Sequence, residues 1–120
     1  MIIENEQMLL DAGFAKYDVP SYEPSSVDAC YQKRYKDGKN TKYFLDVKHW
    51  DIKHPDTNAD LGGYEINGQF YLKGTHNAIN MTFLTPDLDE AENFINSLFD
   101  KGLLENYDTE WDDYIIYQDR

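Results

Sequence analysis

Two hydrophobic periods divide the chain. From Tyr31 to Val47 the period is two: Tyr31, Lys33 and Tyr35 alternate with Gln32, Arg34 and Lys36, and Tyr43, Leu45 and Val47 resume the alternation after Asp37-Gly38-Lys39-Asn40. Alternating side chains bounded by Asp, Gly and Asn predict a β-hairpin. Phe44, Asp46, Lys48 and Trp50 fall on the face opposite Leu45 and Val47, a mixed face expected to be partly exposed. The same period returns where Tyr64, Ile66, Gly68, Phe70 and Leu72 alternate with Glu65, Asn67, Gln69, Tyr71 and Lys73. Asn67-Gly68 is also a hairpin signal, but the unbroken alternation favours one long strand bent at Gly68. After a turn at Gly74 to Asn77, the residues Ile79, Met81 and Phe83 predict a further antiparallel strand.

Helical spacing appears twice. Asn5 to Ala12 reads as a short helix with Asn5 as cap, Met8, Leu9 and Ala12 on one face and Gly13 as terminator, with Phe14 packing back. The stronger pattern follows Thr85-Pro86: Asp87 and Glu90 fit a capping box, Leu88, Ala91, Phe94, Ile95, Leu98 and Phe99 form a stripe, and Lys101-Gly102 stops it. Val19 to Ser26, with Pro20 and Pro24, and His54 to Gly63 read as loops. Leu103, Leu104, Tyr107, Trp111, Tyr114, Ile115, Ile116 and Tyr117 make the last segment too apolar for a solvated tail, and Tyr114 to Gln118 could add an edge strand. The expected class is α+β, a single domain over residues 1–120, with an antiparallel sheet of four to five strands and two helices packed on one face.

Composition narrows the chemistry. The chain has 120 residues, 41% of them hydrophobic, with 10 Tyr, 6 Phe and 2 Trp, which supplies one core and argues against disorder despite the low mean hydropathy of -0.74. The apolar runs are short and MIIENEQ lacks the basic and apolar regions of a signal peptide, so a cytoplasmic protein is expected. Cys30 is the one cysteine, which excludes an intramolecular disulfide and agrees with a reducing compartment.

Charge is the most informative compositional feature. Lys and Arg number 11 against 23 Asp and Glu, a formal net of -12. Residues 87 to 120 hold 11 acids and 2 bases, whereas residues 28 to 54 hold 4 acids and 7 bases. Such a field attracts basic surfaces and repels nucleic-acid phosphates and anionic membranes. Lys33, Arg34, Lys36, Lys39, Lys42, Lys48 and Lys53 interleave with aromatics as in a nucleic-acid platform, but the overall charge opposes it and lysines also protect sheet edges.

Other chemistries find weak footing. Asp56, Asn58 and Asp60 match the first three ligand positions of a calcium loop, but Leu61 stands where glycine is needed and Asn67 where a bidentate glutamate is needed. His49, His54 and His76 have no zinc spacing, and Gly62-Gly63 is not a phosphate loop. Cys30 with His49 is the nearest approach to a nucleophilic pair. No catalytic residue, metal site or cofactor is therefore expected.

Carboxylates that alternate with large aromatics combine a steering rim with apolar anchors. The expected partner-binding residues are Asp87, Asp89, Glu90, Glu92, Glu105, Asp108, Glu110, Asp112 and Asp113, with Trp111 as anchor. In size and charge the chain resembles the small acidic inhibitors that phages and mobile elements direct against nucleases, although no motif ties it to a named family. That resemblance implies a non-enzymatic inhibitor, a nucleic-acid mimic held by a basic protein such as a nuclease, with no direct contact to nucleic acid or membrane, as a monomer or homodimer. The alternatives are an immunity protein against a nuclease toxin, a small metal-dependent hydrolase using Asp56, Asp60 or a histidine, and an oligomeric phage structural protein if Tyr64 to Lys73 forms an open edge.

Overall fold

The computed structural model describes residues 1–53, 55–58, 62–75 and 77–107. The order of elements is α1 (Glu6–Asp11), β1 (Ala15–Tyr17), β2 (Val27–Asp37), β3 (Asn40–Trp50), β4 (Gly63–Leu72), β5 (Asn77–Thr82), α2 (Leu88–Asp100) and β6 (Leu104–Glu105). The sheet is antiparallel, in the order β1-β2-β3-β4-β5, and β6 pairs with Tyr71 and Leu72 just past Gln69, the last β4 residue that β3 pairs. The α+β class with two helices is as expected, while β1 and β6 extend the sheet to six strands.

The long hairpin forms as its alternation predicts, with Tyr31 opposite Val47 and Asp37 opposite Asn40 around Gly38 at φ 62. The alternation from Tyr64 to Leu72 is one strand, so Asn67-Gly68 is not a turn. Gly68 serves a different need: a Cβ there would lie 3.0 Å from Ile95 Cδ1 and 3.2 Å from Phe83 Cε2, so its bare backbone admits those side chains. Because β4 runs between β3 and β5, the open edge that the oligomeric reading required is not at this strand.

Helix α1 starts at Asn5, whose side chain accepts from the Met8 N–H at 3.0 Å. Gly13, at φ 95, ends it, and Phe14 donates its N–H to the Leu9 carbonyl. Helix α2 is capped by Asp87, which accepts from the Glu90 N–H at 3.2 Å. The reciprocal half of the capping box is diverted, because the Glu90 carboxylate accepts from the Thr85 hydroxyl at 2.7 Å.

One core cluster joins Leu9 of α1 and Leu88, Ala91 and Ile95 of α2 to Tyr31, Tyr43, Leu45, Val47, Ile66 and Phe70 of the sheet. Phe94 departs from the expected stripe and is 41% exposed. The second face of β3 also departs from expectation: Phe44 and Asp46 are both buried, Phe44 in a small cluster with Tyr71 and Tyr107. Tyr107 stacks on Tyr71 at 4.1 Å and meets Phe44 edge-on at 5.2 Å. The stretch after α2 is thus folded onto the sheet as far as Tyr107, while Tyr114 to Gln118 lies outside the described residues. Among the described residues, no helix is long and apolar enough to cross a membrane.

A polar cleft on the sheet as candidate functional site

The strand register assembles a polar surface from β1 to β5. Tyr17 pairs with Cys30, Gln32 with Asp46, Asp46 with Asn67, and Gln69 with Asn80. Directly paired residues share a face, so these polar side chains line the face opposite Leu45 and Val47. Above them, Pro20 to Pro24 folds into turns in which the Glu23 N–H donates to the Pro20 carbonyl and the Val27 N–H to the Pro24 carbonyl. The loop carries Tyr22 and Glu23 to the sheet, where Lys48 Nζ holds Glu23 Oε1 at 3.0 Å. Together they enclose a cleft of about 370 Å³.

Its floor contains polar groups that the fold does not satisfy. Asp46 is 8% exposed and Gln32 7% exposed. Gln69 Nε2 donates to Asp46 Oδ2 at 2.5 Å, but Asp46 Oδ1, Gln32 Oε1 and Glu23 Oε2 are buried without a hydrogen-bond partner. Burial pushes the Asp46 carboxyl up to about 6, against the opposing pull of Gln32, Lys48 and Gln69. Each unsatisfied buried acceptor costs about 1–3 kcal/mol, so three grouped in one cleft make it the candidate site of the sheet.

Sequence reasoning missed this site because its members are far apart in the chain. The available signal was polar residues on the inner strands, at Gln32, Asp46, Asn67 and Gln69. The mixed face was visible, but its closure by neighbouring strands and by the Glu23 loop was not.

The expected partner-binding acids divide into three groups. Asp87 and Asp89 meet at the start of α2 and hold the Met1 ammonium at 2.8 and 2.6 Å, with Glu90 beside them on Thr85. Hydrogen bonding to that ammonium holds the Asp87 carboxyl below its ordinary range. Glu92 accepts from the Tyr35 hydroxyl, and Glu105 accepts from the Gly74 N–H at 3.3 Å beside the β4–β5 turn. Asp108, Glu110, Trp111, Asp112 and Asp113 lie outside the described residues.

Several other candidates are resolved by the register. Cys30 faces the Lys48 side of the sheet and is fully buried, whereas His49 alternates to the other face, bound to Asp28 at 2.6 Å and packed on Tyr64. The two therefore form no nucleophilic pair, and burial raises the Cys30 thiol further. Several hairpin bases are engaged within the fold, Arg34 on Thr41, Lys42 on Asn96 and Lys48 on Glu23. Of the calcium-loop residues, Asp60 lies outside the described residues, as do His54 and His76. Among the described residues no group of three or more His, Cys, Asp or Glu is placed to hold a metal ion.

A second, apolar cavity of about 330 Å³ lies where β5 leads into α2, lined in part by Met81, Phe83, Leu84 and Phe94. Leu84 is fully exposed beside it. Comparisons of the chain with protein-family models, with curated proteins and with solved structures found no match.

Proposed function

We propose that the protein is a small acidic, non-enzymatic binding protein that docks on the basic surface of a nucleic-acid-binding partner and inhibits it by nucleic-acid mimicry. The observation that carries this reading is the segregation of charge, 11 acids against 2 bases over residues 87 to 120 within a net of -12. Carboxylates held on a helix and on the segment after it can occupy Lys and Arg groups that otherwise hold phosphates. Asp89, 66% exposed at the start of α2, is reachable from solvent although it also holds the Met1 ammonium. In this reading the two helices share one sheet face through Leu9, Leu88, Ala91 and Ile95. An anti-defence role against a host nuclease fits such a protein, and an immunity protein against a nuclease toxin would use the same electrostatics.

A hydrolase gains one observation, the raised carboxyl of Asp46 in a cleft. Binding is preferred because Glu23, the second carboxylate there, is paired with Lys48 and is not poised as a base.

The test measures affinity for a panel of purified basic nucleic-acid-binding proteins, including nucleases, at two salt concentrations with duplex DNA and RNA as competitors. Salt-sensitive, competable binding is expected. Asp89, Glu90, Asp108, Glu110, Asp112 and Asp113 are then neutralised together to Asn or Gln, leaving the cap Asp87 and the Tyr35 partner Glu92 intact. Wild-type affinity in that folded variant overturns the reading.

A further inference from the structure

We propose that the cleft floored by Gln32 and Asp46 is a binding site for a guanidinium group. The site is built by sheet residues and the Glu23 loop, and it goes beyond the function proposed above. Three observations converge on that chemistry.

The first is what the cleft lacks. Glu23, Gln32 and Asp46 line one cavity, and each has a buried oxygen, Oε2, Oε1 and Oδ1 in turn, without a hydrogen-bond partner. All three are acceptors, so a ligand suited to this cleft brings several N–H or O–H groups. A guanidinium carries five N–H donors in a fixed planar fork and no acceptor.

Charge is the second. Glu23 and Asp46 bring two carboxylates and Lys48 one ammonium, which is committed to Glu23 at 3.0 Å. Asp46 accepts from the Gln69 amide at 2.5 Å and is hydrogen-bonded by Gln32, so besides these neutral amides the two carboxylates share the one Lys48 charge. A cation that enters restores the balance and meets a buried carboxylate, where charge-assisted hydrogen bonds are strongest.

Shape and lining come third. Tyr17 and Tyr22 border the cleft, and a delocalised guanidinium stacks on aromatic rings and loses its hydration more readily than a compact ammonium. The space of about 370 Å³ is large enough for such a group and part of its stem. An arginine side chain of a partner protein and a free small guanidine share this chemistry.

The test is an NMR titration of the purified protein at pH 7.5 with Nα-acetyl-argininamide, following the backbone signals of Gln32, Asp46 and Gln69. Saturable shifts are expected, with Nα-acetyl-lysinamide weaker by roughly tenfold because it lacks the planar fork. Asp46→Asn, which removes the buried charge, and Gln32→Leu, which removes a buried acceptor, should each weaken the arginine probe by roughly tenfold. Glu4→Gln, an exposed charge change elsewhere, should leave it unchanged. Agmatine and a blocked arginine pentapeptide distinguish the sources: tighter agmatine indicates a small guanidine, and a tighter peptide indicates a partner's side chain. Absence of saturable shifts, equal affinity for the lysine probe, or undiminished binding in folded Asp46→Asn and Gln32→Leu overturns the proposal. Arginine-probe binding that survives neutralisation of the acidic segment separates this site from the basic-partner reading.

Discussion

Gln32 and Asp46 face each other across β2 and β3, and each keeps one buried oxygen without a donor. Although Gln32 also hydrogen-bonds Asp46, the two unpartnered oxygens impose a cost on the fold. Most of that cost comes from the Asp46 charge, which burial opposes.

That relationship has a pH signature. The folded Asp46 carboxyl titrates at about 6, above its ordinary 3.8, so the folded state binds this proton more tightly than the unfolded chain. Its contribution to stability is full below pH 3.8 and is lost as pH rises through 6, a difference of about 3 kcal/mol. Asp46→Asn removes the charge and should be more stable than wild type at pH 8, with the advantage shrinking towards pH 4.5. Urea unfolding of both proteins across that range checks it, and parallel pH profiles would contradict the burial of this charge.

Gly68→Ala tests the close approach to α2. The added methyl would meet Ile95 at 3.0 Å and Phe83 at 3.2 Å, so overpacking should destabilise by about 1–3 kcal/mol. The denaturant midpoint is the readout, and a neutral result would mean that Ile95 and Phe83 relax away freely.

Ile95 on α2 and Leu84 on the approach to it should behave oppositely. Ile95 is fully buried, and Ile95→Ala should cost about 2–5 kcal/mol. Leu84, just before the helix, is fully exposed, and Leu84→Ser should stay within about 0.5 kcal/mol of wild type. Thermal unfolding of the two variants separates them.

Tyr107 should be a structural residue although it stands within the acidic segment. Its ring fills the cluster with Phe44 and Tyr71, and its N–H donates to the Thr41 carbonyl at 2.7 Å. Tyr107→Ala should cost about 3 kcal/mol through the lost aromatic contacts. Calorimetry checks it, and an unchanged melting temperature would place the ring outside the fold's stabilising contacts.

The strong periodicities were legible because local sequence specifies them. The Tyr31 to Val47 hairpin, the strand through Gly68 and the Asp87-capped helix all stand where alternation or capping placed them. β1 has only Ala15, Lys16 and Tyr17, too few residues for a period, and exists because β2 offers it an edge. Phe94 lies on the apolar stripe of α2 yet is 41% exposed, since helical spacing alone does not say how far around the helix the core extends. The polar cleft depends on register across five strands and on a loop tied down by Lys48, long-range facts that no local pattern carries. For the acids, sequence gave the charge but not its use: Asp87 and Asp89 hold the Met1 ammonium and Glu92 holds Tyr35.

The strand order has a kinetic consequence. β1 to β5 form a meander in which every strand lies beside its predecessor, so each pairing can close as soon as the next strand has left the ribosome. The chain's beginning follows another schedule. Ile3 donates its N–H to the Pro86 carbonyl, and the Leu88 N–H donates to the Met1 carbonyl. Those contacts must wait until nearly the whole sheet has been synthesised, which leaves the first residues as the last part of the N-terminal half to find their place.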